Sequence, residues 1–236
     1  MPRDEVTEGS LPRAAPIAAD RPADVVEIGG AVAPGFQRVV EEFERNFVER
    51  GDVGAAFAAV RDGDVLVDIW GGVADADSGR PWARDTLQII FSGTKGLVAA
   101  CVLLLLDRGT LDLDRPLAHY WPEFAAAGKE GVLVRDAVAH TVGLPGLDIP
   151  VTWQQATDDV RMAALVAAQP RSTDPRAART YHALTFGWIC GELVRRVTEM
   201  SVGRFFDEEI ARPRRLEIWL GLPEELEPRV SRVSVA

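Results

Sequence analysis

Only two lysines occur in this chain, and one of them, Lys95, follows Ser92 by three residues at the mouth of the apolar run "FSGTKGLVAACVLLLL", residues 91–106. On a helix, that spacing puts two side chains on one face, one turn apart. A serine at a helix start ordinarily caps it, its hydroxyl accepting from backbone N–H groups. A lysine on the same face opens a second chemistry. The helix N-terminus carries partial positive charge and the run behind it is apolar, and both disfavour the ammonium form. A neutral amine beside a serine hydroxyl can take its proton and make it a nucleophile. With seven serines and two lysines in 236 residues, random placement gives about 0.06 S-x-x-K matches. The spacing therefore favours catalysis over a cap with a snorkelling lysine.

The elements that must position this pair follow from periodicity. Phe36, Val39, Val40, Phe43 and Phe47 mark one stripe of an amphipathic helix. "GAAFAAV" and "VLVDIW" read as strands joined by "RDGD". Asp62-Gly63 there signals a type I′ hairpin turn, whose two central residues both need positive φ. "GGVADADSGRPW" reads as a loop. From Gly93 to about Asp107 the pattern is apolar on all faces, which predicts a helix buried in a core. "VLVRDAVAHTVGLPGLD" predicts a short helix ended by Gly143 and Pro145, residues 155–168 another, and "RSTDPRAARTY" a loop. Phe186, Ile189, Cys190, Leu193, Val194 and Val197 mark an amphipathic helix, and Gly203 to Ala211 a short one.

The resulting class is α+β, with a small antiparallel sheet around the hairpin and a mostly helical lobe. Its expected parts are a flexible segment over 1–30, a helix and hairpin over 31–92, the helical lobe over 93–212, and the start of a return to the sheet over 213–236. Order is expected to begin near Gly35.

Composition excludes several classes. A net charge of −10 and a pI near 4.9 argue against nucleic acid, which calls for a basic footprint. The longest apolar run, Leu97–Leu106, is far short of the ~20 residues of a membrane span. No secretory signal pattern is visible, and Cys101 and Cys190 sit in apolar helical patterns as reduced, buried thiols, so the expected compartment is the cytoplasm. The cysteines and histidines form no ligand cluster, so no metal or organic cofactor is expected.

"FSGTKG" ahead of a hydrophobic helix resembles the first motif of the serine β-lactamase and penicillin-binding-protein superfamily. "VLVDIWGGVADADSGRPW", "LDLDRPLAHYWPEF", "VRDAVAHTVGLPGLD" and "YHALTFGWICGELVRRVT" are similar, in order, to further landmarks of its class C-like branch. That branch includes the esterases called family VIII carboxylesterases. The resemblance implies a β-lactamase/transpeptidase-like fold and a serine hydrolase that forms an acyl-enzyme on a small ester or amide. Ser92 would be the nucleophile, Lys95 its proton acceptor, and Tyr181 the tyrosine of the second motif, Y-x-N. That motif reads Tyr181-His182-Ala183 here, and loss of the amide at position 183 leans towards esters rather than β-lactams. His182 reads as a polar residue of a first helical turn, not a base. His140 resembles a structural landmark, and "HTVG" is not the family's third motif.

The family's third motif, a K-T-G, H-x-G or G-x-G strand, supplies one oxyanion-hole N–H, the nucleophile supplying the other. The chain reaches "GLPEELEPRVSRVSVA" where the return to the sheet would begin. The expectation is a C-terminally shortened homologue, with a hairpin edge left unpaired. Loss of one oxyanion donor typically costs ~10²–10³ in rate. The alternative reading is therefore a catalytically impaired, non-enzymatic fragment, or one completed by a homo-oligomer or a second chain. A transpeptidase is disfavoured by the expected compartment.

Overall fold

The computed structural model describes residues 14–17, 26–172 and 180–233. The chain divides into two compact units, one formed by residues 1–89 with 223–236 and the other by residues 90–222.

The first unit carries β1 (Ala15–Pro16), β2 (Ile28–Val32), α1 (Gln37–Glu49), β3 (Gly54–Arg61), β4 (Asp64–Asp75) and β5 (Arg80–Pro81). The strands form an antiparallel sheet in the order β1-β2-β4-β3, with β5 also paired to β4. The turn between β3 and β4 has Asp62 at φ 53° and Gly63 at φ 88°, the positive pair that a type I′ hairpin needs. Ile28, Val40, Phe43, Leu66, Val67 and Ile69 make the core between the sheet and the apolar stripe of α1. Residues 223–233 belong to this unit, with Ser231 N–H donating to Leu87 O (2.8 Å) and Arg232 N–H to Ala74 O (2.7 Å).

Two expectations for this unit need correction. Ordered structure begins before Gly35, because β2 starts at Ile28 inside the segment read as a flexible lead-in. Its glycines disguise it. A Cβ on Gly29 would meet the indole of Trp70 at 2.6 Å, and one on Gly30, at φ 111°, would lie 2.0 Å from Asp68 O. Close approach across the sheet demands both glycines and hides the β pattern. The stretch read as a loop after Trp70 is largely strand, since β4 runs on to Asp75 and pairs with β5. The hairpin thus gains β2 as a neighbour of β4, and among the described strands β3 is an edge, with Phe57 and Val60 exposed.

The second unit is helical: α2 (Thr94–Asp107), α3 (Leu117–Tyr120), α4 (Val134–Val138), α5 (Trp153–Ala156), α6 (Asp159–Ala168), α7 (Thr185–Thr198), α8 (Val202–Phe206) and α9 (Arg212–Arg214). A π turn, Asp207–Ala211, joins α8 to α9. Val98, Cys101, Val102 and Leu105 of α2 share one core with Phe186, Ile189, Cys190 and Leu193 of α7. The all-round burial expected for α2 is only partial, because Leu103 is 62% exposed. The helix predicted over 155–168 is interrupted at Asp158, whose carboxylate caps α6 by accepting from Arg161 N–H. Helix α4 stops earlier than Gly143, with His140 already at φ 58°.

The second lysine is structural. Lys129 is fully buried, and its three ammonium donors reach Ala126 O (2.7 Å), Ala167 O (2.8 Å) and Gln169 O (2.5 Å). It thereby closes the carbonyl end of α6, where a helix lacks intrahelical partners. Burial pushes this amine below its ordinary pKa.

Candidate active site

Ser92 lies in a 3₁₀ turn, Phe91–Gly93, that runs directly into α2. Phe91 is held at φ 44°, a left-handed conformation unusual for a bulky residue. Neither turn start carries a side-chain cap bond, and Gly93 occupies the N-cap of α2, so the serine is not used as a cap. Its Oγ instead accepts from Lys95 Nζ at 3.2 Å. Ser92 is exposed and Lys95 half-buried, so the lysine lies at the rim of the core rather than within it.

Tyr181, just ahead of α7, comes to the same place. Lys95 Nζ lies 4.8 Å from the centroid of its ring. Hydrogen bonding from Lys95, and then from Ser92, holds the Tyr181 phenol below the usual tyrosine range, against a smaller opposing effect of desolvation. Hydroxyl, amine and tyrosine ring thus lie together, with the amine bonded to the hydroxyl and 4.8 Å from the ring centroid. Ala183 is exposed and offers only a methyl where the resemblance would place an amide.

Sequence reasoning missed the support behind Tyr181. His182 is not a first-turn polar residue: it is 1% exposed, three residues before α7. Its N–H donates to His140 Nδ1 (3.0 Å), its Nε2 accepts from Leu144 N–H (3.0 Å), and its Nδ1 lies 2.6 Å from Thr180 O. The ring of His140 lies 4.8 Å from that of Tyr181 and stacks on Phe186 at 4.8 Å. Burial lowers the pKa of both imidazoles, and nearby His182 and Lys95 lower that of His140 further. All three of the chain's histidines lie within stretches that carry the resemblance, so position alone singled out neither His140 nor His182. Part of the loop before Tyr181, residues 173–179, lies outside the described residues. No group of three or more His, Cys, Asp or Glu side chains able to hold a metal ion occurs among the described residues.

A β-lactamase family model matches residues 40–235. Among curated proteins, the chain is 42% identical over 185 residues to the esterase/β-lactamase LipL of Mycobacterium tuberculosis, covering 78% of this chain and 42% of that protein. It is 39% identical over 106 residues to esterase EstB of Burkholderia gladioli, covering 43% of this chain and 27% of that protein. Among solved structures, a penicillin-binding protein homolog from Caulobacter crescentus superposes with a TM-score of 0.84 at 37% identity, over 89% of this chain and 56% of that one. A family VIII carboxylesterase superposes with a TM-score of 0.80 at 41% identity, over 87% of this chain and 57% of that one. The chain therefore spans less than two thirds of the length of each of these relatives. Among the described residues, no helix is long and apolar enough to cross a membrane. The α+β architecture is β-lactamase-like, and the chain belongs to the β-lactamase family.

Proposed function

We propose that this protein is a serine hydrolase acting on small esters through an acyl-enzyme on Ser92. The observation that carries this reading is the 3.2 Å contact of Lys95 Nζ with Ser92 Oγ, with the Tyr181 ring centroid 4.8 Å from the same amine. The Lys95 amine takes the Ser92 proton as Oγ attacks the carbonyl carbon. The new Oγ–C bond gives a tetrahedral intermediate, whose oxyanion the Ser92 N–H can bind. Its collapse breaks the bond to the leaving alkoxide, which receives the proton from Lys95 by way of Tyr181. Water then enters by the reverse proton route and releases the acid.

Ester rather than β-lactam substrates are favoured by Ala183, and the names of relatives LipL and EstB both include esterase. The reading places the enzyme in the cytoplasm, where the free thiols of Cys101 and Cys190 would persist. No cofactor enters any step.

Intact mass after incubation with a fluorophosphonate tests the reading. One adduct is expected on the wild-type chain and none on Ser92→Ala. A folded wild-type sample that takes no adduct would overturn it in favour of a non-enzymatic homologue.

A further inference from the structure

We propose that His140 and His182 are positioning residues that, as neutral imidazoles, hold the Tyr181 phenol against Lys95 and Ser92. The inference rests on the catalytic reading of those three residues, and it assigns work to side chains that do not touch substrate.

The hydrogen bonds fix the tautomers. His140 Nδ1 accepts from His182 N–H, so that nitrogen is bare and the ring proton sits on Nε2. His182 Nε2 accepts from Leu144 N–H, so its proton sits on Nδ1, 2.6 Å from Thr180 O, to which it donates. Each ring gives up its backbone bond if it becomes an imidazolium, because both nitrogens then carry protons. The two rings form a chain, from Leu144 through His182 to His140. It clamps the backbone on both sides of Tyr181: Thr180 O on one side, His182 N–H on the other. Thr185 Oγ completes the clamp by donating to Leu144 O at 2.6 Å.

His140 also supplies a wall. Its ring packs 4.8 Å from those of both Tyr181 and Phe186, and limits where the phenol can swing on a side chain that is otherwise 51% exposed. A histidine suits this position, because φ at 140 is 58° and Asn, Asp and His tolerate left-handed backbone better than other side chains. The titratable groups that face His140 are Tyr181, His182 and Lys95. Burial, and then the proximity of His182 and Lys95, oppose its protonation.

The test uses His140→Asn, whose side-chain oxygen can replace Nδ1 as acceptor and which accepts the same φ, beside His140→Ala, which does neither. Fluorophosphonate labelling of Ser92 is followed against pH. The Ala variant is expected to label about 10²-fold more slowly, the scale of a small misplacement at a reacting centre. The Asn variant should recover most of that rate and lose only the share of the acid limb that His140 contributes, His182 and Lys95 keeping theirs. In a Tyr181→Phe background, His140→Ala should add little further loss, since it acts through Tyr181. Circular dichroism separates these effects from unfolding. A folded Ala variant that labels at the wild-type rate, or an Asn variant that labels no faster than the Ala variant, overturns the proposal.

A second readout does not depend on Ser92 being reactive. Nitrogen NMR of the imidazoles should show a bare Nδ1 on His140 and a bare Nε2 on His182 at neutral pH. The opposite tautomers, or rings charged at that pH, overturn the proposal. A wild-type chain that never labels overturns the nucleophile assignment, and the NMR result still decides the clamp.

Discussion

Lys95 Nζ donates to Ser92 Oγ while lying 4.8 Å from the centroid of the Tyr181 ring, so one amine faces the serine hydroxyl and the tyrosine ring at once. Hydrogen bonding from that amine favours ionisation of the phenol, which places Tyr181 to relay onward the proton that Lys95 takes from the serine.

The Tyr181 phenol is therefore expected to ionise below the usual range, near 10, and the cause is testable. Lys95→Met should return it upward, because the lysine hydrogen bond is the largest contribution, and Ser92→Ala should do so to a smaller extent. Ultraviolet absorbance of tyrosinate follows the titration, and Tyr181→Phe identifies the signal among the chain's two tyrosines. In labelling experiments Tyr181→Phe should slow Ser92 by about 10²–10⁴, the usual worth of a positioned proton-transfer group. Unchanged labelling would remove Tyr181 from the proposed mechanism.

Stability should depend on pH through the same histidines. His140 and His182 both have lowered pKa values in the fold. Below the unfolded value of about 6.5, the unfolded chain binds protons that the folded chain refuses. Their contribution is then fully present above that pH and is lost as pH falls toward the folded values. Urea midpoints measured from neutral to mildly acidic pH should fall, and His140→Asn should flatten part of the slope.

Lys129→Met tests the buried ammonium. It leaves three inward carbonyls, at 126, 167 and 169, without their donors. Each unsatisfied buried acceptor costs about 1–3 kcal/mol before relaxation, and water entry will recover part of that. A net loss of about 2–4 kcal/mol by chemical denaturation is expected, with α6 exchanging its amide protons sooner than α7. A neutral result would mean that the three carbonyls find other donors.

Gly63→Ala isolates a backbone effect. A Cβ at this position meets nothing within 4 Å, so only φ 88° opposes it. A loss of about 1 kcal/mol is expected from the left-handed backbone alone. Asp62→Gly, at the other positive φ of the turn, should change stability much less.

What the sequence made legible was what local chemistry dictates. Asp62-Gly63 announced its turn, the stripe from Phe36 to Phe47 announced α1, and Ser92 with Lys95 stood out by spacing. Strand β2 did not, because Gly29 and Gly30 answer to Trp70 and Asp68 on another strand, and no local pattern records that demand. The break at Asp158 was written as an N-cap in the middle of a helical pattern, where periodicity outweighed it. His182 read as a polar residue of a first helical turn because its three partners, at 140, 144 and 180, are assembled only by the folded loop. The exposure of Leu103 was hidden for a different reason: hydrophobicity on every face says that a helix prefers burial, and not which faces receive it.

The sealing of Lys129 has a practical consequence for chemical footprinting. Of the two lysine side chains, one is closed off with all three of its donors engaged, and the other stands at the rim beside Ser92. A mild amine-acylating reagent applied to the folded chain should therefore mark Lys95 and spare Lys129. The yield of the Lys95 mark becomes a gauge of whether a ligand covers Ser92, readable by peptide mapping before any substrate has been identified.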